Sequence, residues 1–158
     1  MTDFEKLFDE NRDFIFKYLM KMTRDYSLAE ELTQESFYRA YMNFASLRDR
    51  EKAASWLCQI AKNTYFAWYR EQKKLISPEG LEDMAGGEDP AELFAQKELS
   101  EKALKCLHAL EEPYKEVFML SVFGGFSLRD ISRSFGKSES WARVTYYRAK
   151  QKLMERMR

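Results

Sequence analysis

Two cysteines, three prolines and a single histidine in 158 residues leave few kinds of site chemistry open. Cys58 and Cys106 are far apart and each sits inside a helical apolar pattern, which reads as reduced, buried thiols and argues against a disulfide or metal framework. No Cys/His metal spacing, Gly-rich phosphate loop or nucleophile elbow occurs. His108 lies beside Leu107 and Leu110 and reads as a structural histidine, while Glu111 and Glu112 fall in a loop with no implied pocket. No enzyme is therefore expected, with no catalytic residue, no metal and no cofactor. Long apolar runs are missing too: none approaches the ~18 residues that span a bilayer. The start, MTDFEKLFDENRDF, is acidic and broken by charge, unlike a signal peptide. A cytoplasmic protein without membrane insertion is the expectation.

Net charge is also absent, because 26 Lys and Arg balance 26 Asp and Glu. Its distribution is uneven. Residues 1–76 hold thirteen basic and twelve acidic side chains, residues 77–101 hold one and eight, and residues 102–158 hold twelve and six. With 45% hydrophobic residues, real cores can form on either side of that acidic stretch. The pattern predicts an all-α protein of two small helical domains, residues 1–76 and 92–158, joined by a flexible acidic linker over 77–91. Ser77-Pro78-Glu79-Gly80 and Gly86-Gly87-Glu88-Asp89 supply the linker chemistry.

In the first domain, apolar spacing predicts a helix over Phe4–Met22, capped by Thr2 or Asp3. A second is predicted from a Ser27/Glu30 capping box to about Phe44, with Leu28, Leu32, Phe37, Ala40, Tyr41 and Phe44 inward. A third spans roughly Lys52–Lys74, with Ala53, Trp56, Leu57, Ile60, Ala61 and Thr64 inward. At its far end Tyr65, Phe66, Trp68 and Tyr69 run nearly around the helix among Lys62, Asn63, Arg70, Lys73 and Lys74. Rings beside cations suit unstacked bases, and a crowded aromatic core fits the same residues. In the second domain, Asp89 and Pro90 open a helix carrying Leu93, Leu99, Ala103, Leu104, Leu107 and Leu110. Tyr114–Phe123 follows it, closed by Gly124-Gly125, for four helices in all.

The chain ends in a helix, a tight turn and a basic helix. Ser127 caps the first, whose buried stripe is Leu128, Ile131 and Phe135. Gly136 ends it, and Ser138 caps the next, which is the helix-turn-helix plan. Trp141 or Ala142, Tyr146, Ala149 and Leu153 fall on one side of the last helix, and Ser140, Arg143, Tyr147, Lys150 and Arg158 on another that suits a major groove. From Arg129 onward nine basic residues face three acids, which favours DNA as the partner.

In this order, DYSLAEELTQESFYRAYMNF, ASWLCQIAKNTYFAWYREQKK and LEEPYKEVFMLSVFGGFSLRDISRSFGKSESWARVTYYRAKQKL resemble a bacterial RNA polymerase sigma factor of the extracytoplasmic-function (ECF) subgroup. The resemblance covers about Phe4 to Leu153. It implies that Glu31, Gln34 and Glu35 contact the clamp helices of the polymerase largest subunit, and that the polymerase flap is a further contact. Trp56-Leu57 and Ile60-Ala61-Lys62-Asn63 resemble the promoter-melting helix. Lys62, Asn63, Tyr65, Trp68, Tyr69 and Arg70 become contacts to minus-ten DNA, and Ser138, Ser140, Arg143, Val144, Tyr147 and Lys150 to minus-thirty-five DNA. An anti-sigma factor is a further implied partner. Ala67 and Trp141-Ala142 depart from commoner family residues, so base preferences do not transfer. A stand-alone helix-turn-helix regulator is the alternative.

Overall fold

The computed structural model describes residues 1–73, 89–95 and 100–157. Among them are eight α-helices and no strand. The chain divides into two compact units, Met1–Leu75 and Ile76–Arg158. Residues 77–88 of the expected linker lie outside the described residues, as do Lys74, Leu99 and Arg158.

The first unit consists of α1 (Asp3–Thr23), α2 (Tyr26–Met42) and α3 (Ala53–Lys73), with 3-10 turns at Phe44–Ser46 and Arg50–Lys52. Thr2 caps α1 reciprocally: its hydroxyl accepts from the Glu5 amide at 3.1 Å, and its own amide donates to the Glu5 carboxylate at 3.1 Å. Arg24, in the left-handed conformation at φ 54, ends the helix. Asp25, and not the expected Ser27/Glu30 box, starts α2, because its carboxylate already accepts from the Leu28 amide at 3.2 Å and places Ser27 inside the helix.

Ile15, Tyr18 and Leu19 of α1, Phe37 of α2 and Leu57, Cys58 and Ala61 of α3 form the first core. Phe8 meets Phe37 edge-on at 4.9 Å. Thr33 and Ser36 are buried in α2, their hydroxyls turned back to the carbonyls of Ala29 at 2.7 Å and Leu32 at 2.6 Å, so neither brings an unpaired polar atom to the core. Tyr41 corrects the expected stripe: it is 62% exposed, with one ring edge on Phe4 at 5.2 Å. Ala40, one step back, takes the inward position.

The second unit contains α4 (Pro90–Ala95), α5 (Glu101–Ala109), α6 (Tyr114–Val122), α7 (Leu128–Phe135) and α8 (Glu139–Met157). That is one helix more than expected. Ser100 has extended backbone and its hydroxyl accepts from the Ala103 amide at 3.1 Å, so a fresh helix begins where a continuous one was expected. Asp89 caps α4 as expected, accepting from the Ala91 amide at 2.9 Å. Phe94 then packs edge-on against Phe118 at 5.5 Å and Phe123 at 6.2 Å, and Tyr146 stacks on Phe118 from the other helix. Helix α8 touches α4, α5, α6 and α7, making it the axis of this unit.

The corner between α6 and α7 sets the angle at which the last two helices meet. Gly125 takes φ 69, and a Cβ on Gly124 would lie 2.7 Å from both the Leu120 carbonyl oxygen and the Phe126 ring. Gly124→Ala is therefore expected to destabilise the second unit by about 1–3 kcal/mol through forced repacking. A urea midpoint equal to that of the parent chain would show that the corner can give way.

Candidate functional site

The terminal helix pair is fixed by its turn. The Lys137 amide reaches the Ser132 carbonyl at 2.9 Å and the Gly136 amide the Arg133 carbonyl at 3.1 Å, the paired bonds of a Schellman ending with Gly136 at φ 66. The Ser138 hydroxyl accepts from the Trp141 amide at 3.1 Å and starts α8. Across the turn the rings of Phe135 and Trp141 meet at 5.1 Å. These three connections hold the first turns of α8 in one orientation relative to α7.

Ala142, Thr145, Ala149, Leu153 and Met157 are the buried side of α8. Thr145 is hard to read from sequence because its hydroxyl hides it among polar residues, although its spacing from Ala142 and Ala149 is helical. The opposite side presents Ser140, Arg143, Val144 and Tyr147 on successive turns, with Val144 44% and Tyr147 61% exposed. Arg143 lies 3.6 Å from Glu139 one turn back. Arg129 and Arg133 on α7, Lys137 in the turn and Arg148 on α8 are exposed as well. Lys150 is partly buried: its ammonium is bonded to the Asp89 carboxylate at 3.2 Å and sits 5.4 Å from the Tyr146 ring centre, so it braces the α4 cap. Lys152 is likewise engaged, at 3.0 Å from Glu111, and that hydrogen bond and charge hold the Glu111 carboxyl below its ordinary range.

In the first unit the aromatic end of α3 resolves into distinct faces. Tyr65 is 2% exposed and Phe66 is buried against it at 5.1 Å, so Tyr65 belongs to the core and offers no stacking face. Lys62, 1% exposed, is equally withdrawn from the surface. Both are corrections to the expected DNA contacts: at the helical spacing of α3 they fall on the same half as Cys58 and Ala61. Asn63 and Arg70 are exposed, and Trp56, Ile60 and Ala67 are partly exposed along the same line. Trp56, expected inward, therefore joins that strip; its seven-residue spacing from Asn63 was the legible signal. Tyr69 is half-buried, its ring stacked on Tyr65 at 6.3 Å.

Burial, reinforced by the neighbouring Tyr69, pushes the Tyr65 phenol well above its ordinary 10.0. The unfolded chain then loses this proton first, so the stabilisation is complete below pH ~10 and falls as pH rises beyond it, by up to about 1.4 kcal/mol per pH unit. Thermal unfolding of Tyr65→Phe is expected to lose less stability than the parent between pH 9 and 11. Parallel loss in the two proteins would assign the alkaline sensitivity to other tyrosines.

A groove of about 590 Å³ separates α2 from the end of α3. Glu31, Gln34, Glu35 and Tyr38 form one wall, and Thr64, Ala67, Trp68 and Glu71 the other. The structure thus joins the three acidic-helix residues singled out in the sequence and places Trp68 with them. Glu35 is held at 3.1 Å by Arg39, and Glu31 is exposed to solvent.

Two family models account for both units: Sigma-70 region 2 matches residues 7–75 and Sigma-70 region 4 matches residues 100–153. The ECF RNA polymerase sigma factor SigM of Bacillus subtilis is 30% identical over 88% of this chain and 85% of its own length. The chain belongs to the ECF sigma factors. RNA polymerase sigma factor SigZ of the same organism is 28% identical over 96% of this chain and 85% of its own. A solved sigma factor RpoE from Bartonella quintana, in complex with the anti-sigma factor NepR, shares the fold with a TM-score of 0.55 over 99% of this chain and 97% of its own, at 18% identity. As an alternative sigma factor the chain binds core RNA polymerase and directs it to promoters, which displaces the stand-alone regulator reading. In sigma terms, α1 to α3 are region 2 and α5 to α8 carry region 4, while α4 falls in neither matched span. Among the described residues no helix is long and apolar enough to cross a membrane.

Proposed function

We infer that the two units divide promoter use between them, and that the observation carrying this division is the pair of separate accessible faces: the strip on α3 and the strip on α8. Residues 1–76 dock on polymerase and open the minus-ten element, and residues 92–158 hold the minus-thirty-five element. Glu31, Gln34 and Glu35, with Trp68 on the facing wall, form the polymerase contact, since a groove with acidic side chains and an indole suits a basic amphipathic helix of the clamp. Asn63 and Arg70, aided by the partly exposed Trp56 and Tyr69, receive minus-ten bases. Ser140, Arg143, Val144 and Tyr147 read the minus-thirty-five duplex, and Arg129, Arg133, Lys137 and Arg148 meet its phosphates. Ser138 serves chiefly as the cap that aims them.

The chain performs no catalysis of its own; the polymerase makes the RNA, in the cytoplasm. A proteinaceous inhibitor, as captured with the Bartonella quintana relative, is part of the same reading. The test is reconstitution. The full chain mixed with bacterial core polymerase is expected to co-purify with it and to drive transcription from a subset of a promoter library. Tight binding of the chain alone to duplex sites, with no polymerase-dependent transcription, would return the function to a regulator.

A further inference from the structure

We propose that α8 selects thymine, with Val144 and Tyr147 packing on the C5 methyl groups of neighbouring base pairs beside an Arg143 suited to guanine. The inference rests on the reading above that this helix enters the major groove. Among the described residues of α8, Val144 and Tyr147 are the large apolar side chains that are markedly exposed, and they lie three residues apart on the strip that also carries Ser140 and Arg143. Three residues advance about 4.5 Å along a helix, against about 3.4 Å per base pair, so the pair reaches adjacent steps of one duplex. In the major groove every base edge offers hydrogen-bonding groups, and thymine alone adds a methyl; an apolar side chain gains there only from that methyl. Arg143 at the adjoining position supplies the fork that guanine accepts.

A protein partner for the same apolar pair is disfavoured by the charge of its segment. Between residues 127 and 148, Arg129, Arg133, Lys137, Arg143 and Arg148 are exposed, and the only exposed acids are Asp130 and Glu139, the latter 3.6 Å from Arg143. Such a field seats a polyanion. It also separates this strip from α3, whose line carries the exposed Asn63 and Arg70 while its apolar Trp56 and Ile60 are only partly exposed.

The test uses the full chain bound to core polymerase. A preferred upstream element is first selected from duplexes randomised at that position, and each thymine in it is then replaced by uracil, which removes the C5 methyl and leaves the pairing intact. Replacement at two neighbouring positions is expected to lower affinity about four-fold each, the factor corresponding to ~0.8 kcal/mol per buried methyl at ~1.4 kcal/mol per decade. Val144→Ala should abolish the sensitivity at one position and Tyr147→Ala at the other, while both variants still respond to loss of the guanine partnered by Arg143. An enriched element without thymine at the contacted steps, or one indifferent to uracil while Arg143→Ala weakens binding, would overturn thymine selection and leave groove entry standing. Failure to enrich any upstream element would remove groove entry, and thymine selection with it. Loss of an inhibitor protein in Val144→Ala and Tyr147→Ala, with uracil sensitivity unchanged, would reassign the pair to a protein contact.

Discussion

Reversing Glu31 and Glu35 together to lysine is expected to weaken the complex with core polymerase by roughly 30- to 150-fold, about 2–3 kcal/mol, because two attractive charges become repulsive against a basic clamp. The fold should survive the change. Both side chains are exposed on the groove wall of α2, and neither belongs to the buried core that Phe37 and Ala40 join. Within the first unit the reversal breaks the exposed ion pair of Glu35 with Arg39, worth only about 0.3–0.5 kcal/mol as an i, i+4 bridge. Equilibrium binding at two salt concentrations separates the outcomes: the parent complex should weaken as salt rises, and the reversed variant should respond in the opposite sense. Trp68→Ala, across the groove, should lower the same affinity by a salt-independent amount. A double reversal that binds polymerase normally would leave these glutamates as solvated surface.

Replacing Asn63 and Arg70 with alanine is expected to separate binding from opening. Both are exposed on the α3 strip and neither belongs to the buried core, so the unit should remain folded. The holoenzyme should still form closed complexes, anchored by α8. Opening should fall by one to two orders of magnitude in rate, since extruded bases lose the groups that receive them, and each captured base is worth about 1–3 kcal/mol. Permanganate reactivity of unpaired thymines reads this directly, and a template carrying a pre-melted bubble should restore most of the transcription. Normal opening by the folded variant would move the melting role elsewhere on α3. The alkaline behaviour of Tyr65 gives a control, since that residue is core and its phenylalanine variant should open promoters normally.

The residues legible from sequence share a local cause, and those that were not share a tertiary one. Asp89, Ser127, Ser138 and Gly136 were readable, and Thr2 was one of two candidates, because a cap or a left-handed turn is settled by a few neighbouring backbone groups. The start of α2 was misplaced by two residues, because the Asp25 carboxylate takes the Leu28 amide and leaves Ser27 inside the helix. Tyr41 could not be placed from spacing, because Ala40 and Tyr41 both fit an apolar stripe and only packing against α1 and α3 selects the smaller. On α3 the four neighbouring aromatics read as a ring, although the spacing of Tyr65 from Cys58 and Ala61 already set it inward. Packing then buries Phe66 beside it and leaves Trp68 on the groove. Lys150 shows the limit most sharply, since its partner Asp89 is distant in sequence and no charge count would have paired them.

The buried side of α8 is graded along its length. Ala142, Thr145 and Ala149 line the end that begins at Glu139, and Leu153 and Met157 the end that finishes the helix. Helix axes approach more closely over small side chains than over large ones, within a range of about 8–10 Å. Small residues near Glu139 permit close approach to the neighbouring helices, and the larger Leu153 and Met157 fill more space near the other end. On the proposed reading that this helix holds the minus-thirty-five element, a change of volume at the buried Leu153 or Met157 is expected to shift the preferred upstream element although neither side chain touches DNA.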